Sequence, residues 1–223
     1  MVSDFDLPDE SNQNRMVGLR HRHLHSGGKP PSKCSITKDM IQEINPKAEV
    51  DVVECMWEME PSQFKGCKAI FGCVDSYLAR NNLERFARRF LIPFIDIGMD
   101  VHQDGQDFFI TGQVILSIPG FACMHCMGFL TEEKLAAEAR RYGEAGGRPQ
   151  VIWPNGVLAS TAVGKFMAML RPWGTPRCLS LYTQYDGNRH TLLEDPRIKA
   201  LNLDTRTCRH FPLGTALGDL PKT

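Results

Sequence analysis

Apolar positions along the first half of the chain alternate between helical spacing and unbroken runs. Residues 38–44, KDMIQEI, predict a helix, and residues 48–53, AEVDVV, predict a strand that follows it. Residues 69–74, AIFGCV, are too few for an apolar helix, whereas residues 77–90 carry apolar side chains at helical spacing. Residues 91–101, LIPFIDIGMDV, predict another buried strand. Apolar strands that alternate with helices indicate a parallel sheet covered on both faces.

The pattern changes after this series. Residues 106–120, QDFFITGQVILSIPG, predict strands with no helix between them, and such strands are antiparallel. Residues 131–145 predict a helix with Thr131 as its N-cap, and residues 155–170 predict a second helix rich in small side chains. We therefore predict an α/β fold with a Rossmann-like mixed sheet. Its N-terminal part is parallel, it continues into antiparallel strands, and helices cover both faces.

The chain divides by composition into a main domain over residues 1–171 and a turn-rich extension over residues 172–223. Two strand-like runs, around Leu181 and Leu192, lie in the extension. A hydrophobic content of 42% in 223 residues is enough for a sizeable core.

Charge and cysteine content narrow the classes of partner. The 26 basic and 26 acidic residues cancel, which argues against nucleic acid or a membrane surface as a partner held by bulk charge. The sequence has no apolar stretch of membrane-spanning length, and its acidic N-terminus is unlike a secretory signal, so we expect a cytoplasmic protein. The eight cysteines fit reduced thiols better than a disulfide framework.

Acidic residues follow two of the predicted strands. Asp75 ends the run at 69–74, while Asp4 and Asp6 follow the end of a further strand predicted at the N-terminus, and Arg15 comes shortly after them. Ligands of parallel α/β sheets bind beyond the carboxyl ends of the strands, so these acids face a site by topology alone. An acid in the position of Asp4 is suited to contact ribose hydroxyls.

An ordered set of short motifs follows the same path along the chain. The set comprises DFD (4–6), SNQNR (11–15), Lys33 placed 11 residues before Ile44, VDS (74–76), PFIDIG (93–98) and PGFACMHC (119–126). In this order and spacing the chain resembles the ThiF/HesA/MoeB family, which is related to ubiquitin-activating enzymes, over roughly residues 4–170. The resemblance implies ATP- and Mg²⁺-dependent adenylation of the C-terminal glycine of a ubiquitin-like or sulfur-carrier protein that ends in Gly-Gly. It also implies a homodimer.

The resemblance assigns roles to individual residues. Asp4 is similar to the ribose-binding acid and Asp6 to its neighbour in the nucleotide pocket. Asn12 and Arg15 match residues that contact phosphates, Lys33 matches a lysine that reaches the phosphates, and Asp75 matches the aspartate that holds magnesium. Arg15, Lys33 and Asp75 are the implied catalytic set. Fixed cations and a metal are what the attack of a carboxylate on a phosphate requires.

Taken one at a time, the same residues have simpler explanations. Asp75 is placed where an N-cap of the following helix would lie, and Arg15 is placed to form a surface ion pair with an acid before it. Lys29 and Lys38 compete with Lys33 for its role. The histidines of residues 21–25, HRHLH, fit an exposed loop better than a metal site.

Cys123 and Cys126 have the spacing of half a structural zinc site. Cys208 with His210, or Cys178, would have to complete the ligands, and the alternative is a pair of buried free thiols or a redox pair. Some members of the family form a thioester on their own cysteine. No cysteine lies in residues 131–150, so we expect adenylation without a thioester step, with Cys34 as the exception to check.

The sequence departs from the family pattern at its beginning. The strand, Gly-rich turn and helix that would cradle the phosphates are not present before Asp4. The chain is then a fragment of a longer protein, or has lost nucleotide binding, or uses a partner chain, and as given it should bind ATP poorly. A non-catalytic relative that acts as a binding or scaffold subunit is the alternative function. A nicotinamide oxidoreductase is disfavoured because the Gly-rich fingerprint is missing.

Overall fold

The computed structural model describes residues 1–25, 27–140, 151–171, 179–203, 207–212 and 217–218. The chain forms two compact units, Met1–Gly66 and Cys67–Thr223. None of the helices in these described ranges is long and apolar enough to cross a membrane.

The first unit contains a small parallel sheet and two helices. Strand β1 (Val2–Ser3) pairs with β2 (Val52–Val53), and the helices are α1 (His21–His25) and α2 (Lys33–Ile44). Short 3-10 turns lie at Glu10–Asn12, Trp57–Met59 and Pro61–Phe64. The buried apolar side chains of this unit include those of Cys34, Ile36, Val50 and Val53.

Three expectations for the first unit are corrected by the structure. Helix α2 begins at Lys33 rather than near residue 38, because the Ser32 side chain accepts a hydrogen bond from the amide of Ser35 and caps it earlier. Only the last two residues of the predicted strand 48–53 pair in the sheet. The histidines at 21–25 form a short helix, in which the rings of His21 and His25 lie 4.0 Å apart, rather than a loop.

The second unit is built on a five-stranded mixed sheet. Its strands are β3 (Ile70–Gly72), β4 (Phe94–Asp104), β5 (Asp107–Ser117), β6 (Tyr182–Asp186) and β7 (Thr191–Glu194). They lie in the order β3-β4-β5-β6-β7; the first pair is parallel and the other three pairs are antiparallel. The helices are α3 (Tyr77–Arg89), α4 (Glu132–Arg140), α5 (Ile152–Leu170) and α6 (Arg197–Ala200).

Helices α3 and α5 cover opposite faces of this sheet. Asp96 of β4 contacts Arg80 of α3, so it points to the α3 face. Gly112 of β5 is paired with Met99, three residues further along β4, and lies against Leu158 of α5. Because side chains alternate along a strand, these contacts lie on opposite faces. The prediction of helices on both faces is confirmed.

The predicted fold class is confirmed as well. The chain has a mixed sheet whose parallel part comes first and whose antiparallel strands follow. Thr131 caps α4 as expected, since its hydroxyl accepts a hydrogen bond of 3.2 Å from the amide of Lys134. The strand-like runs predicted after residue 171 are β6 and β7, and they complete the sheet. The domain boundary at 171 stays a prediction.

Candidate functional site

The acids that follow β1 lie beside the first residue of α2. The Asp4 carboxylate accepts a hydrogen bond of 2.9 Å from the amide of Asp6, and the Asp6 carboxylate lies 2.8 Å from Nζ of Lys33. A cation in the first turn of a helix is disfavoured by the helix dipole, and the Asp6 ion pair offsets that cost. The structure therefore brings together three of the predicted site residues of the first unit.

Asn12 and Arg15 are held by the turn that follows. The Asn12 side chain accepts a hydrogen bond of 3.2 Å from the amide of Asp9, which in turn caps the same 3-10 turn. Arg15 donates to the carbonyl of Ser11 and, at 3.1 Å, to the side chain of Asn14. Asn12 is buried, so its amide has a structural role already. Phosphate contacts by Asn12 and Arg15 stay predictions.

Asp75 is exposed and does not cap α3. The N-cap is Ser76, whose hydroxyl accepts a hydrogen bond of 3.0 Å from the amide of Ala79. The carboxylate of Glu138 in α4 accepts hydrogen bonds of 2.9 Å from the first two main-chain amides of α3. The start of the helix is satisfied by these two side chains, so the N-cap interpretation of Asp75 is wrong. Within the described part of the chain no hydrogen bond or ion pair holds its carboxylate, and magnesium binding stays a prediction.

The strand end before Asp75 is fixed by a buried ion pair. The guanidinium of Arg80 donates to the carbonyl of Val74 at 2.6 Å and to the Asp96 carboxylate at 2.6 and 2.8 Å. Asp96 is fully buried and also accepts a hydrogen bond of 3.3 Å from Gln113. No role for this pair was predicted from the sequence, although an aspartate inside an otherwise apolar strand is a signal for one.

Asp4, Asp6, Asn12, Arg15 and Lys33 belong to the first unit, whereas Asp75 belongs to the second. That they meet around one triphosphate stays a prediction.

A second cluster of chemically active side chains lies wholly within the second unit. Cys123, Cys126, Cys208 and His210 place their sulfur and nitrogen atoms within 4.8 Å of one another. The sulfur of Cys126 lies 3.6 Å from that of Cys123 and 3.8 Å from that of Cys208. Nδ1 of His210 lies 3.4 Å and 3.3 Å from the sulfurs of Cys123 and Cys126.

These distances fit a tetrahedral zinc ion. Zinc–sulfur bonds of about 2.3 Å at a tetrahedral angle separate two sulfurs by about 3.8 Å, and a sulfur and a nitrogen by about 3.5 Å. The amides of Cys126 and Phe211 donate to the sulfurs of Cys123 and Cys208 at 3.4 and 3.3 Å. Such bonds favour thiolates, which are the form that binds a metal. The sequence left two possibilities for the remaining ligands. The structure places Cys208 and His210 beside Cys123 and Cys126, and Cys178 lies outside the described residues.

The two thiols of the Cys-x-x-Cys loop have different acidities. Burial raises the pKa of the Cys126 thiol, but hydrogen bonds from the main chain and from His210 outweigh burial and lower it to about 7. Burial, together with the nearby charge of Glu84, raises the pKa of Cys123. Cys126 is thus the thiol that ionises first near neutral pH.

Cys34, the exception considered for a thioester, has none of the properties of a nucleophile. It is fully buried at the start of α2, and burial raises its pKa. Its thiol lies against the main-chain carbonyls of Val2, Asp4 and Val53. A reactive thiol needs exposure and a lowered pKa.

The model of the ThiF family matches residues 1–208. No curated protein matches the chain.

Solved structures of two proteins share the fold. The microcin C7 biosynthetic enzyme MccB in complex with N-formylated MccA has a TM-score of 0.62 at 15% identity, covering 86% of this chain and 56% of that one. E. coli MccB with ATP has a TM-score of 0.60 at 14% identity, covering 86% and 54%. PaaA has a TM-score of 0.61 at 15% identity, covering 86% and 62%. The chain thus spans a little over half the length of the MccB chains that it matches.

Proposed function

The chain belongs to the ThiF family, and from this premise we propose that it takes part in the ATP-dependent adenylation of a C-terminal carboxylate on a peptide or small carrier protein. The observation that carries the proposal is the family match over residues 1–208. The match spans the exposed carboxylate of Asp75, an oxygen ligand of the kind that Mg²⁺ takes, and the Asp6–Lys33 pair, whose lysine is a cation of the kind that phosphates take.

The reaction asks little of the protein beyond charge and position. An oxygen of the substrate carboxylate bonds to the α-phosphorus of ATP, the bond from that phosphorus to the pyrophosphate oxygen breaks, and pyrophosphate leaves. No proton is transferred, because the attacking carboxylate is already ionised. Lys33 and Arg15 supply fixed positive charge to the phosphates, and Asp75 supplies an oxygen ligand for Mg²⁺. When bound, the magnesium ion would neutralise charge on the phosphate oxygens.

The substrate class has two candidates. A carrier protein ending in Gly-Gly is what the family resemblance implies. The other candidate is a peptide with a free C-terminus, and the structure of MccB in complex with N-formylated MccA is what supports a substrate of that kind. ATP as the second substrate is supported by the MccB structure that contains it.

Zinc at Cys123, Cys126, Cys208 and His210 belongs to the same proposal. Four protein ligands leave no open position for substrate, so the ion would be structural rather than catalytic. It would fasten the Cys-x-x-Cys loop to residues 208–210, which lie more than eighty positions later in the chain.

ATP–pyrophosphate exchange tests the function. The longest chain that the gene encodes is assayed with a Gly-Gly carrier and, separately, with a peptide of the MccA kind. We expect carboxylate-dependent exchange that falls by at least about 100-fold in Asp75→Ala, because the metal ligand is lost. Asp107→Ala, which removes another exposed aspartate of the second unit, should exchange at the rate of the unaltered chain.

Lysine variants in the same assay test which lysine contacts the phosphates. Lys33→Ala should lose exchange, whereas Lys29→Ala and Lys38→Ala should keep it. Exchange that survives Asp75→Ala would exclude the assigned magnesium site. Absence of exchange with either substrate, together with stable binding to an active homologue, would instead identify a scaffold subunit.

A further inference from the structure

One face of α3 holds the Cys-x-x-Cys loop. Asn81, Glu84 and Arg88 are spaced three and four residues apart, so their side chains leave the helix on the same side. Each of the three forms a hydrogen bond with a residue adjacent to Cys123 or to Cys126.

Glu84 and Arg88 bind the main chain on both sides of Cys123. The Glu84 carboxylate accepts a hydrogen bond of 2.8 Å from the amide of Met124. The Arg88 guanidinium donates to the carbonyls of Phe121 and Ala122 at 3.0 and 2.9 Å. The backbone entering and leaving the cysteine is therefore fixed by charged groups.

Two further contacts complete the arrangement. The side-chain oxygen of Asn81 lies 2.9 Å from Nε2 of His125, the residue just before Cys126. Nε of Arg88 donates to the hydroxyl of Ser117 at 2.9 Å, and that hydroxyl donates to Glu84. Ser117 thus links the two charged residues into one network.

Burying these charged groups costs free energy that the stability of the fold alone does not require. Glu84 is fully buried, Arg88 is 4% exposed, and no hydrogen bond reaches Oε2 of Glu84 from the described residues. Apolar side chains of similar volume often stabilise a core as well as such charges do. What the charges provide here is the orientation of a loop that carries two metal ligands.

We propose that Glu84, Arg88 and Asn81 are positioning residues for the metal site. They hold the Cys123–Cys126 loop in the conformation that binds the metal before the ion arrives. The proposal rests on the zinc site of the proposed function and assigns residues that contact no ligand atom of that site directly. Loss of partners outside the ligand set lowers metal affinity by about 10- to 100-fold in proteins.

Neighbouring asparagines provide a matched first test. Zn²⁺ affinity is measured by chelator competition on the reduced full chain, and Co²⁺ substitution reports the geometry through its absorption bands. Asn81→Ala should bind both metals about 10-fold more weakly than the unaltered chain. Asn82→Ala, next to it on α3 and outside the network, should bind them as the unaltered chain does.

The Glu84 variants test whether the hydrogen bond to the Met124 amide positions the loop, or whether any change at this buried residue disturbs the fold. Glu84→Gln keeps an oxygen that accepts from Met124, so it should retain most of the affinity. Glu84→Leu fills the same volume without an acceptor and should weaken binding by about 10- to 100-fold and alter the Co²⁺ spectrum. Arg88→Met should behave like Glu84→Leu, and Arg85→Met, an exposed control on the same helix, should have no effect.

The two proposals fail in different ways. If the unaltered chain binds no Zn²⁺ or Co²⁺ at the four ligands, the metal site itself is refuted. If the unaltered chain binds tightly and Asn81→Ala, Glu84→Leu and Arg88→Met bind equally tightly with an unchanged Co²⁺ spectrum, the metal site stands and the positioning role is refuted.

Discussion

Single aspartates in this protein have different roles that depend on what surrounds them. Asp75 is exposed, and Asp96 is buried against Arg80. Asp195 is 1% exposed, with its carboxylate 2.6 Å from the guanidinium of Arg197 and 2.7 Å from the side-chain amide nitrogen of Gln184. A carboxylate without a fixed partner is free to bind a ligand, whereas a paired one supports the fold.

Acid should destabilise the fold through Asp195. Hydrogen bonds from Arg197 lower the pKa of Asp195, so its contribution is present above the unfolded value of about 3.9 and is lost as the pH falls through the lower folded value. Urea unfolding at pH 7 should show Asp195→Asn less stable by about 1 to 3 kcal/mol. The difference should shrink toward pH 3.

The control for this experiment is Asp39→Asn, an exposed aspartate on α2, which should change stability little at any pH. A loss in Asp195→Asn that is equally large at pH 3 and pH 7 would show that the charge of Asp195 is not what stabilises the fold.

The spacing of apolar residues predicted most helices and strands, but it did not predict the residues at which they begin and end. Helices α3 and α5 and strands β4 and β5 lie where the pattern predicted them, because a buried face imposes its period on the sequence. The early start of α2 is set by a single serine hydroxyl. Capping bonds are local and change no periodicity, so the pattern missed this one.

Ser76 caps α3 and Asp75 does not, so substitutions at the two residues should affect stability differently. Ser76→Ala should lower the free energy of unfolding by about 1 kcal/mol, since the amide of Ala79 loses its acceptor. Asp75→Ala should leave it nearly unchanged. Urea denaturation of the two variants in parallel measures both. Equal destabilisation by the two substitutions would restore the aspartate as part of the cap.

The metal cluster joins parts of the second unit that are far apart in the chain. Cys123 and Cys126 follow β5, whereas Cys208 and His210 follow α6. Sequence spacing found the first pair and left two completions for the second. Only the folded chain shows which late residues come within 4.8 Å of the first pair.

Metal content provides the test at this scale. The reduced chain should bind one zinc ion, and a chelator should lower its unfolding temperature because a ligand bound only to the folded state stabilises it. Cys208→Ser should lose the ion and become insensitive to the chelator. Cys67→Ser, which lies outside the cluster, should keep both properties. Retention of a full equivalent of zinc by Cys208→Ser would refute the four-ligand site.

The alternating elements, the change from parallel to antiparallel pairing and the family could all be predicted from the sequence. These properties follow from local periodicity and from the order of short motifs, and both can be recognised without knowing which distant residues are in contact. Three features could be seen only in the folded chain: Ser76 and Glu138 cap α3 and leave Asp75 exposed, Cys208 and His210 join the cysteine pair, and Arg80 pairs with Asp96. Contacts between residues far apart in the chain depend on how the elements pack, and no local pattern encodes that packing.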